Sequence, residues 1–186
     1  MSGNLQDNAY IRQLQRLLNT YKPLAKNNVV NNYNVNDISG KKVATSDYKD
    51  TYLLITFWAS WDEESRMRQR ELRALKEKYA KHNFEILSIS LDTDRTAWLQ
   101  AIKDDSLTWR QANDFDGWQT NVVQRMQIEH LPANVLLNPN RRVQFVDVYG
   151  EELDKRIEPL VELKQQQKKT EKKTPQNIRN KKLQKK

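Results

Sequence analysis

Leu53-Leu54-Ile55-Thr56-Phe57-Trp58-Ala59-Ser60-Trp61-Asp62-Glu63-Glu64-Ser65 is the stretch on which the architecture turns. Its first six residues are a short, nearly continuous apolar run, as in a strand buried on both faces and set inside a sheet. Within four residues the chemistry changes: Asp62 is a preferred helix N-cap, and Glu63 and Glu64 complement the positive end of a helix dipole. The helix predicted there has Met67, Leu72, Leu75 and Tyr79 on its inner face. His82 follows and is expected to help end it through the dipole.

Working outward, Phe84 to Leu91 reads as a second strand, with Asp92 at its carboxyl end and a short helix carrying Trp98, Leu99 and Ile102 behind it. This β-α-β order predicts parallel pairing through a right-handed crossover. Val122, Val123 and Met126 mark another helix. Val135-Leu136-Leu137, the turn Asn138-Pro139-Asn140-Arg141 and Val143 to Val148 read as an antiparallel hairpin, and Leu153, Ile157, Leu160 and Val161 form the stripe of a last helix from Glu151 to Leu163. Toward the amino end, Ser39-Gly40-Lys41-Lys42 is a turn between two short extended pieces. Ile11, Leu14, Leu17, Leu18 and Tyr21 have the spacing of a helix from Asn8 to Tyr21 that Pro23 closes. The expected division is a helical segment over 1–27, one α/β domain over 28–163, and a tail over 164–186.

The chain has 186 residues and no cysteine, which excludes thiolate metal sites, disulfide staples and every thiol nucleophile. At a mean hydropathy of −0.94, no stretch approaches the ~20 apolar residues of a membrane span. The net charge of +8 is concentrated at one end: Lys164 to Lys186 holds ten basic residues and one acid, and the rest of the chain is near neutrality. With only Ile178 and Leu183 as aliphatic residues, this tail is expected to be disordered. A polycation of this kind fits an anionic surface, but it has no aromatic residues on which nucleic-acid bases would stack, so no specific nucleic acid is expected.

Phe57-Trp58-Ala59-Ser60-Trp61 resembles the segment that leads into the redox site of thioredoxin-fold proteins, specifically the TlpA/ResA-like thiol-disulfide oxidoreductases, where Cys-x-x-Cys follows. Ser88-Ile89-Ser90-Leu91-Asp92, Asp116-Gly117-Trp118 and Leu131-Pro132 extend the resemblance over most of the chain. It implies a three-layer α/β/α sandwich with a central mixed sheet. It also places the two cysteine positions on Asp62 and Ser65, a supporting glutamate on Arg68 and a helix-kinking proline on Arg70, while the packing leucine is kept as Leu72 and the cis-proline as Pro132. The sulfur chemistry is gone. A carboxylate satisfies the same helix-end amides as a thiolate but does not exchange with disulfides, and a serine cannot resolve a mixed disulfide.

The expected role is therefore that of a redox-inactive, non-enzymatic module without a cofactor or metal. Its expected partner is a peptide or protein, contacted by Trp61, Asp62, Glu63, Glu64, Ser65, His130, Leu131 and Pro132. The alternatives are a retained thioredoxin-type oxidoreductase or peroxidase activity, as family naming suggests, and an electrostatic tether through the tail. Ser65, His130 and Asp62 are also the inventory of a hydrolytic triad, although nothing in the sequence sets up its geometry. Asp62, Glu63 and Glu64 with His130 are a second candidate set, for a hard cation, since oxygen ligands suit calcium or magnesium, but solvated capping acids are the better account. Trp58 is expected in the core, with Trp61 and Trp118 as candidates for the groove. The family usually works outside the cytoplasm, so although Met1-Ser2-Gly3-Asn4 carries no export signal, a mature periplasmic or cell-envelope form, such as one from a lipoprotein precursor, is expected over a cytoplasmic one.

Overall fold

The computed structural model describes residues 11–14, 17 and 22–173. Residues 11–14 and 17 are helical; the remainder of the helix expected over Asn8 to Tyr21 lies outside the described residues, as does the tail from 174 onward. Strands β1 (Asn34–Asn36) and β2 (Lys42–Ala44) form a small antiparallel hairpin. The main sheet follows from β3 (Tyr52–Trp58), β4 (Phe84–Ser90), β5 (Arg110–Ala112), β6 (Ala133–Leu137) and β7 (Val143–Val146), in the spatial order β5-β4-β3-β6-β7. β3, β4 and β5 run parallel, and β6 and β7 run antiparallel to their neighbours, so the sheet is mixed.

The apolar run Leu53 to Trp58 lies in β3 at the centre of this sheet, and each of its residues is buried. On one face, Leu54 and Trp58 pack with Leu72 and Leu75 of α1 (Glu63–Lys78), Trp98 of α2 (Arg95–Asp104), and Leu153 and Ile157 of α4 (Gly150–Lys173). On the other, Leu53, Ile55 and Phe57 meet Val35 and Val43 of the hairpin and Val122, Val123 and Met126 of α3 (Asn121–Met126). Sheet and covering layers form the expected sandwich.

Two expectations need correction. Met67 is exposed, and Ser65, Gln69, Leu72 and Leu75 form the inner stripe of α1. A polar residue at the right helical phase was passed over in favour of an apolar one at the wrong phase. The last helix also continues past Leu163, reaching Lys173 inside the segment expected to be disordered. Residues 164–173 contain neither glycine nor proline, and extending an existing helix avoids the cost of nucleating one. Among the described residues no helix is long and apolar enough to cross a membrane.

Candidate functional site

The start of α1 and the loop before β6 meet at the carboxyl end of β3, because the register pairs Phe57 with Ala133 and so sets Pro132 opposite the end of that strand. The turn from β3 into α1 is fixed by Asp92, buried at the end of β4. Its carboxylate accepts from the Ser60 amide (2.9 Å), the Ser60 hydroxyl (2.6 Å) and the Ser90 hydroxyl (2.6 Å). Asp62 is the N-cap, as its residue type predicted: its side chain accepts from the Ser65 amide at 3.0 Å. Trp61, beside it, is 63% exposed, Trp58 is fully buried, and Trp118 is also on the surface.

Ser65, expected on the contact surface, is instead fully buried. Its hydroxyl donates to the Asp62 carbonyl (3.0 Å) and accepts from the Ala59 amide (3.2 Å), so the side chain serves the first turn of the helix and faces away from solvent. His130 is exposed and has other partners: Nδ1 lies 3.1 Å from the Pro132 carbonyl oxygen and Nε2 3.6 Å from Asp147. Serine and imidazole are not joined, and the hydrolytic arrangement falls with them. Leu131-Pro132 is cis, as the resemblance implied.

Arg70, at one of the altered positions, and its neighbour on the same helix, Arg66, have structural partners. Arg70 bridges Glu63 (2.7 Å) and Asp105 (3.2 Å), and Arg66 grips Asp105 through Nε and Nη2 at 2.7 and 3.0 Å. Asp105, at the end of α2, is 5% exposed, so these bonds clamp α1 to α2. Burial alone raises the Asp105 pKa, but the hydrogen bonds from Arg66 and Arg70 outweigh it and hold the carboxyl below its usual value. A carboxyl lowered on folding stabilises the protein above its unfolded-state pKa, near ~3.9, and loses that contribution as pH falls through the lower folded value. Asp105→Asn should therefore cost about 2 kcal/mol at neutral pH, less than a fully buried pair because both arginines reach water. The gap from wild type should narrow below about pH 4; urea titrations at pH 7 and pH 3 measure it, and a constant gap would show that the clamp contributes no charge-dependent stability.

Arg68 stacks over the Tyr149 ring, 5.0 Å from its centroid, and its Nη1 reaches Glu71 at 3.2 Å. Tyr149 donates its hydroxyl to the Pro132 carbonyl at 2.9 Å, and burial first, then the nearby Asp147, push its phenol pKa upward.

One feature beneath the site was missed in the sequence. A row of polar side chains crosses four strands: the register aligns Asn134, Thr56, Ser88 and Gln111, all nearly fully buried. Gln69 closes a ring over it, donating to the Thr56 hydroxyl (2.8 Å) and accepting from the Ser88 hydroxyl (2.8 Å), while Thr56 donates to Ser88 (2.9 Å) and Trp109 Nε1 donates to Ser88 (2.7 Å). The signal available was hydroxyl residues, Thr56 and Ser88, each flanked by apolar residues within a strand.

Residues 50–143 match the family profile described as thioredoxin-like. The chain belongs to the thioredoxin-like family. It is 37% identical to a solved thiol-disulfide oxidoreductase from Bacteroides fragilis, with a TM-score of 0.67 over 70% of this chain and 97% of that one. The thioredoxin domain of a Bacteroides vulgatus thiol-disulfide oxidoreductase shares the fold at a TM-score of 0.70 and 24% identity, over 74% of this chain and 99% of that one. Thiol-disulfide oxidoreductase ResA of Bacillus thuringiensis subsp. konkukian is 24% identical over 68% of this chain and 71% of its own. These thioredoxin-like relatives are named for disulfide chemistry, whereas this chain has no cysteine with which to perform it.

Proposed function

We propose that this thioredoxin-like domain binds an extended segment of a peptide or protein between the Trp61-Asp62 turn and the His130-Leu131-Pro132 loop, without making or breaking disulfides. The observation that carries the reading is the backbone of Leu131: among the described residues, no hydrogen bond uses its N–H or its C=O. A main-chain donor and acceptor left free at the surface are what an added strand pairs with. Trp61 supplies an exposed aromatic face of the kind that anchors such contacts, and Asp62, Glu63 and Glu64 line the same rim. Asp62 in the nucleophile position and a buried Ser65 keep the helix end capped but leave no group able to attack sulfur.

A permanently unfolded chain with blocked thiols, carboxymethylated lactalbumin, is a suitable probe. It should bind the wild-type protein, and Trp61→Ala should weaken that binding about tenfold, the scale of a moderate interface hot spot. In parallel, insulin disulfides should be reduced no faster than in a protein-free blank. Turnover above the blank, or binding indifferent to Trp61→Ala, would overturn the proposal.

A further inference from the structure

Three segments that meet on one side of the main sheet contain no acid. Residues 22–36, 121–128 and 138–146 hold Lys22, Lys26, Arg125, Arg141 and Arg142, with neither aspartate nor glutamate among them. Backbone pairing brings the first and third together. Val29 bridges Arg142 beside β7, the Asn27 amide donates to the Val143 carbonyl (2.8 Å), and the Val30 amide donates to the Arg141 carbonyl (2.8 Å). The end of α3 faces the first segment across a hollow of about 460 Å³, with Leu24, Val29, Asn31, Gln124, Arg125 and Met126 in its lining. At ~30 Å³ per water this is room for about fifteen water molecules.

Arg125 is the one ionised side chain of that lining, and it is exposed. Among the described residues its guanidinium has no hydrogen-bond or salt-bridge partner. Burial raises the Tyr33 phenol pKa, while the Asn31 side chain and the Arg125 charge pull it down, so that charge is felt at the wall of the hollow. Lys22, Lys26 and Arg141 likewise meet no carboxylate within salt-bridge distance, and Arg142 places Nη1 on the Asn27 carbonyl at 2.8 Å. Unneutralised cations around a concavity raise its potential and draw an anion.

The shape and lining narrow the choice of anion. Nucleic-acid bases need exposed aromatic faces, but Val29 is the only exposed large apolar residue of the three segments, and Tyr33 is 6% exposed. A flat lipid surface leaves a hollow unfilled. The buried floor of Val30 and Met126 is apolar, and Asn31 and Gln124 carry amides of the kind that pair with a main chain. The ends of this chain do not match in charge: residues 1–21 have Arg12 and Arg16 against Asp7, and residues 174–186 have five bases and no acid.

We infer that this face binds an acidic segment of another protein, which seats an apolar side chain over Val30 and Met126 and sets its carboxylates on Arg125, Lys22, Lys26 and Arg141. The hollow shares no lining residue with the Trp61 and Leu131 surface, and the inference does not rest on peptide pairing there.

The probes are two short peptides, one of glutamates alone and one with a single central leucine, titrated into the full chain by ¹H–¹⁵N NMR. Location is the first readout, since the lysine-rich tail also attracts anions. The leucine peptide should shift the amide signals of Val29, Gln124 and Met126 and bind there about tenfold more tightly than the all-glutamate peptide, the scale of a partly buried leucine. Arg125→Glu should weaken that binding at least about tenfold. Lys103→Glu makes the same charge change at an exposed position in the last turn of α2 and should alter it less than about twofold. Shifts confined to residues 164–186, equal binding of the two peptides, or equal losses in the two variants would each overturn the inference. So would tighter binding of a single-stranded oligonucleotide or of phosphatidylglycerol vesicles at these same amides.

Discussion

Gln69→Leu is expected to destabilise the protein by about 3 kcal/mol, although it places an apolar residue of similar size at a fully buried position. In the wild type each member of the ring is satisfied: Ser88 accepts from Thr56 and Trp109 and donates to Gln69, and Thr56 donates to Ser88 and accepts from Gln69. Leucine removes the acceptor of the Ser88 proton and the donor to Thr56, both on buried side chains, at about 1 to 3 kcal/mol for each group left alone. For a domain of this size the loss corresponds to a fall in Tm of roughly 6 to 12 °C. The ring predicts a second result. Once Gln69 is gone, Ser88→Ala also removes the orphaned hydroxyl, so the double variant should be less damaged than the two single losses added together, by at least about 1 kcal/mol. Urea unfolding of the four proteins measures this, and additivity to within about 0.5 kcal/mol would mean that the three side chains do not act as a unit.

That ring marks the boundary of what the sequence made legible. The central strand, the N-cap at Asp62, the parallel β3–β4 pair and the β6–β7 hairpin were all readable, because each is encoded by neighbours: an apolar run, a capping side chain, a turn. Leu72 and Leu75 were placed correctly for the same reason. Gln69 is not legible because its burial is licensed by Thr56 and Ser88, 13 and 19 residues away, whereas apolar periodicity points to Met67, which is exposed. Asp105 looked like an ordinary acid near a helix end; only the packing of α1 on α2 makes it the acceptor for two arginines. At the candidate site, the identity of the residues at the two former sulfur positions was plain, but the direction of one was not. Ser65 faces the backbone of Ala59 and Asp62, and His130 faces Asp147. Side-chain direction at a helix start depends on which backbone groups remain free, and that is decided by the fold.

The same helix start makes the second large prediction, a change of chemistry. Asp62→Cys combined with Ser65→Cys should yield a protein that folds, forms an internal disulfide under oxidising conditions, and releases two titratable thiols on reduction. The cost in the reduced form is about 2 kcal/mol: the Asp62 cap on the Ser65 amide is lost, and the Ala59 amide keeps only a weak sulfur acceptor. The thiol at position 62 inherits the positive end of α1 and should titrate below an ordinary cysteine. Insulin reduction should nonetheless stay roughly a hundredfold slower than by a dithiol oxidoreductase with a carboxylate at this position, because Arg68, stacked on Tyr149 and bound to Glu71, cannot accept or return a proton as a carboxylate does. Adding Arg68→Glu should recover about tenfold of that deficit while leaving the disulfide unchanged, which separates proton transfer from sulfur placement. Failure of the two thiols to pair would refute the placement of positions 62 and 65 at a shared redox end. Full activity without Arg68→Glu would show that two sulfurs alone account for the lost chemistry.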